Sequence, residues 1–166
     1  MRRILFLASF AIFTSCVAAA QDQSLSALRF LVGTWQAVET TPGETGAFAF
    51  ELKVQGRVMV RTNEAVYSAT SDRPASRHDD LLVIYSEAGV LKADYFDSEG
   101  HVIRYAVHTR PPDGVTFLSD SSPREPRYRL TYTASADGVL VGTFEVAAPG
   151  SPDAFKPYLS WKARRR

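Results

Sequence analysis

The sequence predicts an all-β protein in which about ten antiparallel strands form a meander that closes into a barrel. Three observations support this prediction. Strand-type alternation continues through nearly all of the chain after residue 33, turn residues interrupt it at regular intervals, and no strand–helix–strand pattern occurs. Short turns favour antiparallel neighbours, and closure removes the exposed edges of a long meander.

The only helix predicted in the mature chain covers residues 21–31. Leu25, Leu28 and Leu31 recur at helical spacing, and Ser24 or Ser26 is suited to cap the helix. We expect this short helix to plug one end of the barrel.

The strands follow in order, and residues 47–55 show the clearest alternation. Phe48 and Phe50 lie on one face, with Glu51 and Lys53 on the other. The apolar start of residues 81–86 is typical of a strand buried on both faces. The longest predicted loop is 68–79. The predicted strands are 35–41, 47–55, 57–67, 81–86, 90–96, 101–109, 115–119, 127–135, 139–147 and 158–164.

The first twenty residues have the pattern of an export signal. Arg2 and Arg3 precede a short apolar core at residues 4–13, and small residues at 18–20 form a cleavage site. We therefore expect a signal peptide at 1–20, a single barrel domain at 21–166, and a periplasmic or secreted protein.

Cys16 leaves a second processing route open. Residues 13–16 resemble a lipoprotein cleavage box, which predicts lipidation and an outer-membrane anchor as the alternative. We expect no other membrane contact. Cys16 is the only cysteine, so the mature domain has no internal disulfide and depends on packing for its stability.

The charge balance does not point to a nucleic-acid partner. Nineteen basic and eighteen acidic residues give a formal net charge of +1, without a basic stripe. The expected partner is a small hydrophobic or amphipathic molecule, and the sequence leaves the oligomeric state open.

Residues at both ends of the mature chain resemble those of the calycins, the superfamily of lipocalin-like barrels. Gly33 and Trp35 follow an apolar segment at 28–32, and Arg164 follows Trp161 by three residues. The resemblance implies that Gly33 and Trp35 open the first strand and that Arg164 packs over the Trp35 ring. The closer resemblance is to a bacterial lipocalin-like family of unassigned function. It implies an interior ligand site.

Tyrosines on successive strands are the main candidates for ligand contacts. One interpretation is a cavity whose hydroxyl groups bind a carboxylate or carbonyl, and the other is core packing across strands. The four residues are Tyr95, Tyr105, Tyr128 and Tyr132.

Arg61 is the best candidate for a buried cation, although a surface position is slightly favoured. It shares a strand face with Met59 and Tyr67. Because burying an uncompensated charge is costly, an inward Arg61 requires a bound anion or an acidic partner such as Glu64.

His108 is the remaining candidate and also the basis of an enzyme hypothesis. It shares a face with Arg104, whereas the more apolar opposite face carries Tyr105 and Val107. The period-2 rule favours an outward His108, and a role in binding or catalysis requires it to face inward.

Known catalytic spacings are absent from the sequence, so no cofactor or metal site is predicted. The run His78-Asp79-Asp80 is interpreted as a solvated loop rather than a metal site. Three functions stay open: a ligand-binding barrel, a packed interaction module of the cell envelope, and an enzyme that uses His108.

Overall fold

Ten antiparallel strands form a closed barrel, which confirms the predicted fold class. The structure, a computed structural model, describes residues 24–41 and 43–166. Each strand pairs with its neighbours in sequence, and the first pairs with the last to close the barrel. The strands are β1 (Gly33–Val38), β2 (Glu44–Lys53), β3 (Val58–Tyr67), β4 (Ser76–Glu87), β5 (Val90–Asp97), β6 (Val102–Arg110), β7 (Gly114–Ser119), β8 (Arg127–Ala134), β9 (Val139–Ala147) and β10 (Lys156–Arg165).

Two elements differ most from the sequence prediction. The predicted helix is a 3-10 helix over Leu25–Leu31, and Ser24 makes no side-chain cap. Strand β4 begins at Ser76 rather than at residue 81, because the polar run that looks like a loop pairs with β3, His78 opposite Ala65 and Asp80 opposite Asn63. The predicted signal peptide, including Cys16, lies outside the described residues.

The barrel has two different ends. The helix end carries the N-terminal 3-10 helix and the turns that join β2 to β3, β4 to β5, β6 to β7 and β8 to β9. The loop end carries the connections that join β1 to β2, β3 to β4, β5 to β6, β7 to β8 and β9 to β10. Among the described residues, no helix is both long enough and apolar enough to cross a membrane.

The helix end is sealed by the leucines of the 3-10 helix. Leu28 and Leu31 have no exposed surface and Leu25 only 9%, and all three join the barrel core. Trp35 donates its indole N–H to the Leu31 carbonyl at 2.7 Å, which fixes the helix to the start of β1. Each fully buried leucine contributes about 1.5–3 kcal/mol through burial, so the helix is part of the core rather than an appendage.

The arginine that packs over Trp35 is Arg165, and the prediction of Arg164 is therefore wrong by one residue. The Arg165 guanidinium lies 4.6 Å from the Trp35 ring centre and donates to the carbonyls of Val32 and Phe30. Alternation explains the difference. Arg165 pairs with Trp35 and therefore lies on the same face of the sheet. Arg164 lies on the opposite, outward face and donates to the carbonyl of Asp137.

Gly33 is required by its conformation and by its neighbour. Its φ is +133°, a backbone angle that residues other than glycine rarely adopt. An added Cβ would also lie only 2.7 Å from Arg165 Nη1. The glycine therefore leaves the space in which the arginine reaches the Val32 carbonyl.

Candidate functional site

The inward face of the loop-end half carries polar side chains on three adjacent strands. Asn63 on β3, His78 and Asp80 on β4, and Tyr95 on β5 form a set that we call the polar wall. Asn63 donates to Asp80 at 2.9 Å, and His78 Nε2 lies 3.2 Å from the Tyr95 hydroxyl. The wall is thus internally hydrogen-bonded, and the Asn63, His78 and Tyr95 residues in it are half-buried.

Aromatic rings cover the opposite side of the same half. Tyr128 on β8 stacks on Phe144 of β9 with ring centres 5.8 Å apart, and Trp161 of β10 lies over Gly142. We call Tyr128, Phe144 and Trp161 the aromatic wall. Because β9 lies five strands from β4 in either direction around the ten-stranded barrel, the two walls face each other across the interior.

Arg61 and Tyr132 meet in the middle of the barrel and form a floor beneath the two walls. The Arg61 guanidinium, on β3, donates to the hydroxyl of Tyr132 on β8 and to the carboxylate of Asp80. The side chains of Arg61 and Asp80 are 6% and 4% exposed. The acidic partner that an inward arginine requires is therefore Asp80, whereas Glu64 faces outward and pairs with Arg77 at 2.8 Å.

The electrostatics of the floor favour a charged arginine and neutral tyrosines. Burial opposes the charge on Arg61, but the oxygens of Tyr132 and Asp80 outweigh it, and the pKa of Arg61 is raised above its ordinary value. Burial likewise raises the pKa of Tyr132, of Tyr105 and of Tyr95. These hydroxyl groups therefore keep their protons and can act as donors.

One donor on the floor has no acceptor. Arg61 Nε is buried and, among the described residues, makes no hydrogen bond. An unsatisfied buried donor costs about 1–3 kcal/mol, so an acceptor oxygen that reached it would be favoured.

The structure brings together five of the six residues predicted to contact a ligand. Arg61, Tyr105 and Tyr132 are buried inside the barrel, and Tyr95 and Tyr128 are inside but half-buried. Arg61 is inward, contrary to the slight preference for the surface. Their role in binding stays a prediction.

His108 does not belong to this set, because it faces outward, the position that the period-2 rule favours, and so it does not line the barrel interior. It is exposed on the outer face of β6, while its neighbours Tyr105 and Val107 point into the core. Burial of the apolar face of β6 favours its inward orientation, and alternation then places His108 on the outside. The enzyme hypothesis needs an inward His108, so it fails on this position.

Sequence reasoning missed most of the polar wall. Residues 76–80 are five polar residues in a row, a pattern that predicts a loop. For this reason the sequence does not indicate that His78 and Asp80 lie on a strand. Once β4 is known to begin at Ser76, alternation gives the orientation of these residues. Leu82 and Ile84 are fully buried, so Asp80 and His78 lie on the same inward face.

Two concavities lined by described residues lie on the outer wall. One crosses β1–β4 along Ala47, Ala49 and Thr62, and the other lies beside Leu81 and Phe96. Both are shallow troughs. A ligand inside the barrel would lie at the loop end, next to the half-buried side chains of the two walls.

No known protein-family model matches the sequence, and no curated protein matches it. The closed antiparallel barrel is compatible with a lipocalin-like fold. The chemistry of the site therefore has to be argued from its own residues.

Proposed function

We propose that this protein is an exported barrel that binds a small apolar or amphipathic molecule at its loop end. The observation that carries the proposal is the contrast between the walls. An aromatic surface faces a hydrogen-bonding surface across the interior, and the side chains of both retain exposed area. Binding sites of this kind combine apolar contact area with a few polar groups that orient the ligand.

In the proposed complex, the apolar part of the ligand packs against Tyr128, Phe144 and Trp161. Its polar group faces Asn63, His78 and Tyr95, and an acceptor oxygen that reaches the floor meets the unpartnered Nε of Arg61. The sealed helix end contributes rigidity rather than contact surface. Support for export comes from the charged, apolar and small-residue segments of residues 1–20.

The two tryptophans allow a direct test, because Trp35 lies at the helix end and Trp161 in the aromatic wall. We would titrate the protein with oleate and with retinol while recording tryptophan fluorescence. A ligand at the loop end changes the emission of the wild-type protein, and Trp161→Phe, which keeps Trp35 as the reporter, loses most of that change. An undiminished response in Trp161→Phe, or no response to either probe, would contradict the proposal.

The second candidate function is an interaction module whose barrel holds no ligand. It is favoured by the filled centre, where Phe50, Phe117 and Trp161 contact the ring of Tyr132 edge-on at 5.5–6.4 Å between ring centres. Native mass spectrometry of protein isolated from the periplasm separates the two candidates. A co-purifying small molecule supports the carrier, and a bare mass from folded protein supports the packed module.

A further inference from the structure

A second group of chemically active side chains lies at the rim of the loop end and shares only His78 with the polar wall. Strand β5 ends at Asp97, the following turn carries Glu99, and β4 brings His78 beside both. One ligating atom from each of these three residues lies within 4.8 Å of the other two. Residues separated by about twenty positions in the chain are thus brought together by the pairing of β4 with β5.

The His78 ring has a polar partner at each nitrogen. Its Nε2 lies 3.2 Å from the Tyr95 hydroxyl, and its Nδ1 lies 3.2 Å from Glu99 Oε1. The Tyr95 hydroxyl also lies 3.4 Å from Asp97 Oδ2. Because a hydroxyl group both donates and accepts, both tautomers of the neutral ring fit these contacts.

His78 Nδ1 and Glu99 Oε1 are 3.2 Å apart, a distance at which a proton on Nδ1 can join them. A metal ion bound by both atoms would take the place of that proton. His101 Nδ1 lies 2.8 Å from Asp97 Oδ2 and 3.9 Å from Glu99 Oε2. Within residues 24–41 and 43–166, neither Asp97 nor Glu99 forms an ion pair with lysine or arginine.

The spacing suits a metal ion. Zinc bonds to imidazole nitrogen and carboxylate oxygen of about 2.0–2.1 Å place neighbouring ligands of a tetrahedral site about 3.3 Å apart. The separation of His78 Nδ1 from Glu99 Oε1 is 3.2 Å. Two carboxylates and one neutral imidazole also balance a divalent charge.

The surrounding groups hold the three ligands in place. Asp97 Oδ1 accepts from the backbone N–H groups of Glu99 at 3.0 Å and His101 at 2.9 Å, which shapes the turn. Tyr95 orients His78 through its other ring nitrogen, the arrangement typical of the partners behind metal-binding histidines.

We propose that His78, Asp97 and Glu99 form a binding site for a divalent transition metal, with Zn²⁺ as the probe. The site has three protein ligands, which leaves a fourth position for water or another ligand. It does not depend on the small-molecule function proposed above, since it uses the outward nitrogen of His78 and the turn after β5.

The test is calorimetric titration of the chelator-stripped, untagged full-length chain with Zn²⁺ at pH 8, where proton competition for the ligands is small. We expect one Zn²⁺ per chain. Glu99→Gln removes a ligand from an exposed side chain, so it should weaken binding at least tenfold while the thermal midpoint in zinc-free buffer stays unchanged. Tyr95 does not contact the metal, yet Tyr95→Phe should weaken Zn²⁺ binding about tenfold or more, because His78 loses the hydroxyl that orients its ring.

Two matched variants control for nonspecific binding. His108→Asn and Glu125→Gln remove an exposed histidine and an exposed glutamate elsewhere, and both should bind Zn²⁺ as the wild type does. The proposal is overturned if no stoichiometric Zn²⁺ binding is seen, or if binding survives the combined change of His78→Asn and Glu99→Gln. If no stoichiometric Zn²⁺ binding is seen, His78 and Glu99 are joined only by a hydrogen bond.

Discussion

The two halves of the barrel differ in what fills them, although the same strands build both. In the helix-end half, inward residues such as Leu28, Phe50 and Ile84 have no exposed surface. In the loop-end half, inward residues such as Tyr128 and Trp161 remain half-buried and face polar groups. The same alternation thus produces a sealed core where a helix covers the barrel, and a chemically mixed surface where only loops do.

The largest expected effect compares two phenylalanines, one in each half. Phe50→Ala should lower the free energy of unfolding by about 4 kcal/mol, because it leaves a cavity in closed packing, and Phe144→Ala by about half of that or less, because its site is already partly solvated. Urea denaturation of both variants measures the difference. Equal losses would show that the two halves are packed alike.

The next effect concerns the floor that separates the halves. Asp80→Asn leaves the buried charge of Arg61 without its counter-ion and should cost about 3 kcal/mol of unfolding free energy. The double variant Arg61→Met, Asp80→Leu removes both charges and should recover most of the loss. If the double variant is less stable than Asp80→Asn, the ion pair contributes net stability to the fold.

A smaller effect is expected at Gly142, on which the aromatic wall rests. An added Cβ would lie 2.2 Å from Trp161 ring atoms, so Gly142→Ala should displace the ring and cost about 2 kcal/mol, with a shift in Trp161 emission. The control is Gly46→Ala, whose Cβ would lie no closer than 3.5 Å to a neighbour and should change stability by no more than about 1 kcal/mol. An unchanged emission in Gly142→Ala would argue against the placement of Trp161.

The smallest effect is on the outer surface of the loop-end half. Arg129 donates two hydrogen bonds to Glu145, at 2.6 and 2.7 Å, and these hold the pKa of Glu145 below its ordinary value of 4.5. The pair therefore stabilises the fold above pH 4.5 and loses this contribution as the pH falls through the lower, folded-state pKa.

Glu145→Gln lacks this titration, so the wild type should exceed it in stability by no more than about 1 kcal/mol at pH 7. The difference should disappear in acid. Urea denaturation at pH 7 and at pH 3 measures both values, and a difference that grows toward low pH would contradict the assignment.

The sequence was sufficient for the barrel because the period-2 pattern is local. Each of the ten predicted strands is present, and the largest boundary error falls on β4, where a run of polar residues hid five strand positions. A polar residue on an inward face contradicts the usual pattern, so alternation alone gives no reason to extend a strand through it. That error also concealed His78 and Asp80.

The sequence by itself determined the fold class, the sealing leucines and the outward His108, because each follows from the spacing of neighbouring residues along the chain. Only the tertiary structure decided that Arg61 is compensated by Asp80 rather than Glu64, that Arg165 rather than Arg164 covers Trp35, and that His78 meets Glu99. These pairs depend on strand register and on which residues face each other across the barrel. Register depends on the turns as well as on the pattern within each strand, so alternation along one strand does not say which side chains on other strands it will meet.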